Sequence, residues 1–402
     1  MLLNTKLKEI IESQRKFMSS LDLGVSREEN VEIISSFATI ITGIRRCGKS
    51  TFLNQLLHKN EKYYYLNLED PRLEGFDLSD FNEVENIMYE LYGKKGVFFF
   101  DEIQNIDKWE KFIRYLVDKK EKVILTGSNA SLLSKELGTK LTGRHIQKEM
   151  FPFSYDEFLK LKKQKKSLQS FEEYFIKGGF PEYLKNNNQV VLNQLISDIV
   201  YKDVIVRFNI KNNVLLNKLA LFLISNVGKE FSYNSLKNMF EVKSVQTIID
   251  YIAFLENTYM LFTIPCFNYS YKKQQVNPKK VYSIDNGFSS VNTISFSKDK
   301  GRMLENIVFL NLRRKHKEIF YFKEKKECDF LVKEKDKIIL AYQVCYELTE
   351  QNKEREINGL VEALDKFNLK EGVILTLNQE QEFVVDSKKV KLIPVWKWLI
   401  EN

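Results

Sequence analysis

The sequence predicts an α/β protein: a parallel sheet flanked by helices, then a helical middle region, then a further α/β domain. Three observations carry that prediction. The stretch Gly43-Ile44-Arg45-Arg46-Cys47-Gly48-Lys49-Ser50-Thr51 reads G-x-x-x-x-G-K-[ST], the phosphate-cradling P-loop. Short apolar runs alternate with helically spaced stretches from Phe37 to Thr126. One of those runs, Gly96-Val97-Phe98-Phe99-Phe100, ends in the acidic pair Asp101-Glu102.

Leu7, Ile10, Ile11, Phe17 and Leu21 recur at helical spacing among charges, which predicts a leading helix on the edge of the first domain. Phe37 to Ile41 is rich in β-formers and should be the buried strand entering the loop, with Thr51 to Leu57 the helix leaving it. Lys62 to Leu68 is the next strand, Phe81 to Leu91 a helix, Gly96 to Phe100 a strand, Lys108 to Asp118 a helix and Lys122 to Thr126 a strand. Such apolar strands separated by helices imply a parallel sheet covered on both faces.

The pattern changes near Phe151-Pro152-Phe153-Ser154, so the first domain is placed at residues 1–155. Residues 156–275 are mostly helical. Within them a helix capped by Ser232, a helix from Ser244 to Leu255 and a short strand suit either a winged helix or a plain helical lid. Residues 276–402 form the last domain. It has a helix over Met303 to Arg314, strands at Ile319 to Phe322, Cys328 to Val332 and Ile338 to Tyr346, a helix over Asn352 to Phe367, and strands at Gly372 to Leu377 and Val390 to Val395.

Among 402 residues, 44% are hydrophobic and 29% charged, an ordinary globular composition with room for two or three cores. No apolar run approaches the roughly 18–20 residues of a membrane-spanning helix, and the N-terminal residues lack a signal-peptide core, so no membrane partner is expected. Four cysteines without C-x-x-C spacing point to reduced thiols in the cytoplasm, and three histidines offer no metal cluster. The net charge of +8 is compatible with a polyanionic partner.

The chemistry concentrates at the loop. Gly43 and Gly48 let the backbone curl so that amides through Cys47 and Thr51 point inward. Lys49 should reach the β- and γ-phosphates of ATP, and the Ser50 hydroxyl should ligate Mg²⁺. Asp101, at the C-terminal end of its strand, can hold the same Mg²⁺, and Glu102 can activate a water for attack on the γ-phosphate. In Thr126-Gly127-Ser128-Asn129, Asn129 is the candidate sensor of that phosphate, with Ser128 next. Arg144, in Leu141-Thr142-Gly143-Arg144, is a candidate to stabilise the transferring phosphoryl group from a neighbouring subunit.

Together G-x-R-R-x-G-K-S, D-E-I-Q, T-G-S-N and L-T-G-R followed by F-P-F-S resemble a group of archaeal and bacterial AAA-type ATPases. In that group a C-terminal restriction-endonuclease-like domain of unknown function follows the ATPase. Ile176-Lys177-Gly178-Gly179-Phe180-Pro181-Glu182 and Asn277-Pro278-Lys279-Lys280 match it too, so the similarity spans nearly the whole chain. The resemblance implies a P-loop ATPase core with sheet order 5-1-4-3-2, a winged-helix-like middle and a PD-(D/E)xK-like end. It also implies assembly as a homo-oligomer, a hexameric ring being one form, with each site completed by the neighbour.

The nuclease-type pattern is damaged here. Glu305 matches the helix acid and Asp329 the strand aspartate, but the third motif reads Gln343-Val344-Cys345. Gln343 is a neutral amide where a carboxylate belongs, and Cys345 stands at the lysine position without a charge at neutral pH. Two carboxylates with no cation beside them should bind Mg²⁺ poorly. The expectation is therefore an ATP- and Mg²⁺-dependent ATPase that holds duplex or branched DNA through lysines such as Lys323, Lys325, Lys326, Lys333, Lys335 and Lys337. Two alternatives remain. One is an active nuclease in which Lys323 or Lys333 replaces the missing lysine. The other is a STAND-type signalling switch that binds protein partners.

Overall fold

The computed structural model describes residues 3–128, 143–291 and 299–401, which divide into one unit over Met1–Met150 and another over Phe151–Asn402. Among the described residues no helix is long and apolar enough to cross a membrane.

The first unit runs α1 (Asn4–Ser20), β1 (Ala38–Gly43), α2 (Lys49–His58), β2 (Tyr63–Asn67), α3 (Asp80–Tyr92), β3 (Val97–Asp101), α4 (Trp109–Asp118), β4 (Lys122–Gly127) and β5 (His145–Met150). Its five strands are all parallel in the order β2-β3-β4-β1-β5, the order the resemblance implied. Phe98 and Phe100 on β3 point to one face and pack with Phe81 of α3 and Phe112 of α4, whose rings stack 4.4 Å apart. β5 was not legible as a strand. His145-Ile146-Gln147-Lys148-Glu149-Met150 is polar because it is an edge strand that pairs only with β1.

The opposite edge is closed by a side chain. Gln14 on α1 donates to the Asn67 carbonyl (3.1 Å) and accepts from the Asn67 amide (2.8 Å), satisfying backbone groups that a further strand would have paired. α1 therefore buries Leu7, Ile10, Ile11, Gln14 and Met18, whereas Phe17 and Leu21, expected on that face, are exposed.

The second unit contains two sheets. The smaller one orders β6 (Glu230–Phe231), β8 (Lys279–Ser283) and β7 (Leu261–Pro265) antiparallel. Helices Asn213–Ser225, Tyr233–Met239 and Val245–Asn257 accompany it, the last two capped by Ser232 and Ser244. The larger sheet is mixed and six-stranded, in the order β13-β14-β12-β11-β10-β9. Its strands are β9 (Ile319–Lys323), β10 (Glu327–Glu334), β11 (Lys337–Val344), β12 (Glu371–Thr376), β13 (Gln381–Val385) and β14 (Lys388–Pro394). Helix Lys353–Lys366 covers the face bearing Leu331, Ala341 and Ile374. A C-terminal α/β domain is thus present.

The Gly178-Gly179 pair has a local cause. Buried Asp285 accepts the Gly179 amide at 2.6 Å and the Gly287 amide at 2.8 Å, and a Cβ on Gly178 would overlap its carboxylate. Gly178 also sits at φ 72°, a left-handed conformation that suits glycine.

Candidate functional site

The P-loop joins the C-terminal end of β1 to α2, with Gly48 at φ 101° as the N-cap. A Cβ on Gly43 would collide with the Met150 carbonyl of β5, so both glycines are sterically required. The loop is held from behind. Cys47 is fully buried with its thiol 3.7 Å from the Met150 carbonyl oxygen, its amide donates to the Ile44 carbonyl (3.3 Å), and buried Arg27 donates to the Cys47 carbonyl (3.0 Å). Arg45 faces Glu69, the acid that follows β2, at 3.8 Å.

Lys49 is buried, and its ammonium donates to the carbonyls of Gly43 and Ile44, each at 3.1 Å. Ser50 and Thr51 open α2 on the exposed side. Asp101 ends β3 beneath them. Burial, then the Glu102 charge, raises the Asp101 pKa; hydrogen bonds from Thr126 and Ser50 and the charge of Lys49 pull it down. The P-loop and the second acidic motif therefore meet at Ser50 and Asp101, which are close enough for the hydroxyl to favour the ionised carboxylate.

Glu102 leaves the strand at φ 53°, a left-handed conformation that costs a non-glycine residue about 1–3 kcal/mol. Its amide donates to Thr126 Oγ1 at 3.1 Å, and its carboxylate accepts from Gln104. The same Thr126 hydroxyl donates to Asp101 Oδ1, and Tyr65 donates to Oδ2 at 3.4 Å. Thr126, at the end of β4, therefore fixes both acids at once. Sequence reasoning passed over it for Asn129; its position in the T-G-S-N run was the available signal. Asn129 lies outside the described residues, as do Leu141 and Thr142.

Arg144 immediately precedes β5. The register pairs Ala38 with His145 and Gly43 with Met150, so Arg144 stands at the far end of the sheet, about 17 Å along the strand from its own loop. Its guanidinium pairs with Asp118.

Glu305, on helix Lys300–Lys315, and Asp329, on β10, meet at a partner that the sequence did not suggest. Lys280 on β8, 2% exposed, donates to Glu305 at 3.0 Å and to Asp329 at 2.8 Å, and pairs with Glu327 at 2.8 Å. Tyr282 also donates to Glu305 (2.7 Å). Burial pushes the Glu305 carboxyl up to about 7 against the attraction of Lys280. Burial alone would lower the Lys280 pKa, yet Asp329, Glu305, Tyr282 and Glu327 hold it well above the ordinary lysine value. A cation does stand beside these acids, and it comes from Asn277-Pro278-Lys279-Lys280 rather than from the motif strand. Neither lysine expected to migrate donates to Glu305 or Asp329: Lys323 pairs with Glu230 and Glu327, and Lys333 with Glu318.

Gln343 accepts the Asp329 amide (3.2 Å) and donates to Glu356 (2.6 Å), so its amide bridges a backbone group to a carboxylate. The Cys345 thiol, raised to about 11 by burial and then by Glu356, donates to the Glu347 carbonyl (2.9 Å). Among the described residues no group of three or more His, Cys, Asp or Glu is arranged to hold a metal ion.

Residues 35–159 match a family described as an AAA domain. Residues 168–296 and 300–398 match two domains of unknown function, DUF8612 and DUF4143. An uncharacterized protein of Methanocaldococcus jannaschii, MJ1544, is 37% identical, covering 93% of this chain and 90% of its own. The chain belongs to the family of MJ1544. A Haemophilus influenzae relative is 28% identical over 94% of this chain and 99% of its own. The Walker-type ATPase PABY2304 of Pyrococcus abyssi is a partial structural neighbour, with a TM-score of 0.43 at 16% identity over 72% of this chain and 93% of that one. The first unit of this MJ1544 relative carries a P-loop ATPase-type core.

Proposed function

We propose that this protein hydrolyses ATP with Mg²⁺ at the P-loop. The observation behind this is the convergence of Lys49, Ser50, Asp101 and Glu102 at the C-terminal ends of β1 and β3. The residues fit the group: the glycine-shaped turn admits phosphate oxygens, and the hydroxyl–carboxylate pair of Ser50 and Asp101 is the oxygen donor set that Mg²⁺ takes. Bound Mg²⁺ would neutralise charge on the β- and γ-phosphates. Lys49 exchanges two neutral carbonyls for phosphate oxygens. Glu102, oriented by Thr126 and Gln104, accepts the proton of the attacking water. Arg144 stands too far from its own loop to serve it, and we infer for it a role at the site of a neighbouring subunit in a homo-oligomer.

The second unit engages DNA without cutting it. Its small sheet and three helices follow the strand and helix order of a winged helix, and its lysine-rich turns supply phosphate contacts. The larger domain keeps the outline of a PD-(D/E)xK nuclease, but the ammonium of Lys280 already occupies its acids. Phosphate release from ATP, measured with and without Mg²⁺ and with and without DNA, tests the reading. Turnover no higher than that of Lys49→Ala overturns the ATPase assignment. Mg²⁺- or Mn²⁺-dependent nicking of plasmid, abolished by Asp329→Ala, overturns the non-cutting one.

A further inference from the structure

The connection between β7 and β8, residues 266–278, leaves Tyr269 79% and Tyr271 74% exposed, with exposed Lys272 and Lys273 beside them. Its base is rigid. The Phe267 amide donates to the Tyr321 carbonyl (2.7 Å), and the Phe267 ring packs against Phe320 (5.4 Å) and Phe367 (4.9 Å). Tyr269 stands edge-on to Phe267 at 5.3 Å and lies close enough to Lys366 to interact with its charge. Between this connection and the β10–β11 turn runs a groove of about 800 Å³, lined by Phe267, Tyr269, Lys333, Lys337, Ile339 and Lys366 among others.

The charges of the groove itself balance, and the positive excess lies on the connection beside it, at Lys272 and Lys273. Lys333 pairs with Glu318 and Lys366 with Glu324, each at 2.9 Å, and Asp336 also faces the groove. Lys272, Lys273 and Lys337 make no ion pair among the described residues. The helix Val245–Asn257, which would be the base-reading helix of a winged helix, has no Lys or Arg and carries Asp250 and Glu256. Phosphate contact is therefore disfavoured at that helix and favoured at the connection.

We propose that this groove and the exposed connection beside it bind single-stranded nucleic acid, with Tyr269 and Tyr271 stacking on bases and Lys272, Lys273 and Lys337 neutralising phosphates. The proposal rests on the reading of the second unit as DNA-engaging, and it names both the surface and the strand state. An aromatic ring can stack only on a base freed from its neighbours, which duplex does not offer; every base has such a face, so binding is tolerant of sequence.

Fluorescence anisotropy of the full chain tests this with a labelled thymidine oligonucleotide, a uridine oligonucleotide of the same length and a duplex, each across a salt series. The wild type should bind single strands more tightly than duplex, and the uridine arm distinguishes RNA from DNA as the source. Tyr269→Ala/Tyr271→Ala should weaken single-strand binding about tenfold to a hundredfold. Lys272→Ala/Lys273→Ala/Lys337→Ala should flatten the slope of log affinity against log salt by about 2. All five side chains are exposed, so an unchanged melting temperature shows that the variants fold. If the wild type binds but neither variant differs from it, or if duplex is preferred, the groove is overturned while DNA engagement stands. No salt-sensitive binding to any of the three probes overturns both.

Discussion

Each unit sets a buried lysine against carboxylates, and the two lysines are used in opposite ways. Lys49 donates to two neutral backbone carbonyls, each at 3.1 Å, and reaches Asp101 only through space. Lys280 is surrounded by Glu305, Asp329 and Glu327, all within 3.0 Å. Trading carbonyls for phosphate oxygens costs little, because the lysine gains charged partners. Pulling Lys280 out would strand the buried carboxylates of Glu305 and Asp329. A lysine held by dipoles is available to a ligand; a lysine held by charges is part of the core. In the second unit a side chain from β8 thus occupies the position among these acids that an external cation would need.

The largest effect should come from breaking the second arrangement. Lys280→Met is expected to destabilise the second unit by about 3–5 kcal/mol, read from urea unfolding. Adding Glu305→Gln and Asp329→Asn should recover most of that loss. Lys49→Met should abolish ATP binding while changing stability by under about 1 kcal/mol. Lys280→Met with wild-type stability would break the comparison.

Asp285 sharpens it, because this buried carboxylate has backbone amides as partners and no lysine. Burial raises its pKa to about 7, with the amides of Gly179 and Gly287 and the charge of Arg314 pulling the other way. A pKa raised in the folded state means stability that is present at low pH and lost as pH climbs toward 7. The raised value corresponds to a loss of up to about 4 kcal/mol between pH 4 and pH 7. The stability difference between the wild type and Asp285→Asn, which cannot titrate, should shrink by that amount over the same range. A pH-independent difference would mean that the amides keep Asp285 ionised.

The first unit was legible almost throughout, because both faces of β1, β3 and β4 are buried and continuous apolar runs announce such strands. β5 was hidden by its edge position, and α1 was misread at Phe17 because Gln14, a polar residue, takes a core position to close β2. Lys49, Ser50, Asp101 and Glu102 were legible because their spacing is set by one loop and one strand end. Lys280 was not: 25 residues separate it from Glu305 and 49 from Asp329, and no local pattern reports that convergence. The lysines expected to form one surface divide as well. Lys325 and Lys326 fall in the β9–β10 turn and Lys335 in the β10–β11 turn, at opposite ends of a strand about 23 Å long.

Within the ATPase site, Glu102→Gln should retain ATP binding and lose turnover by at least about 100-fold, the usual contribution of a positioned general base. Binding is read with a fluorescent nucleotide and turnover by phosphate release. A variant that hydrolyses normally would remove Glu102 from the reaction and leave its left-handed backbone without a functional reason.

Thr126→Val is the subtler test. The substitution preserves shape and removes the hydroxyl that donates to Asp101 and accepts the Glu102 amide. That hydroxyl opposes the effect of burial on Asp101, so without it the aspartate is harder to ionise and a weaker partner for Mg²⁺. The Mg²⁺ concentration giving half-maximal turnover should rise about tenfold, as for loss of an outer partner of a metal ligand, while the rate at saturating Mg²⁺ falls less. A purely structural threonine would lower the melting temperature and leave the Mg²⁺ dependence where it was. That outcome would also dissolve the contrast with Lys280, since Asp101 would then need no help to stay ready for a cation from outside.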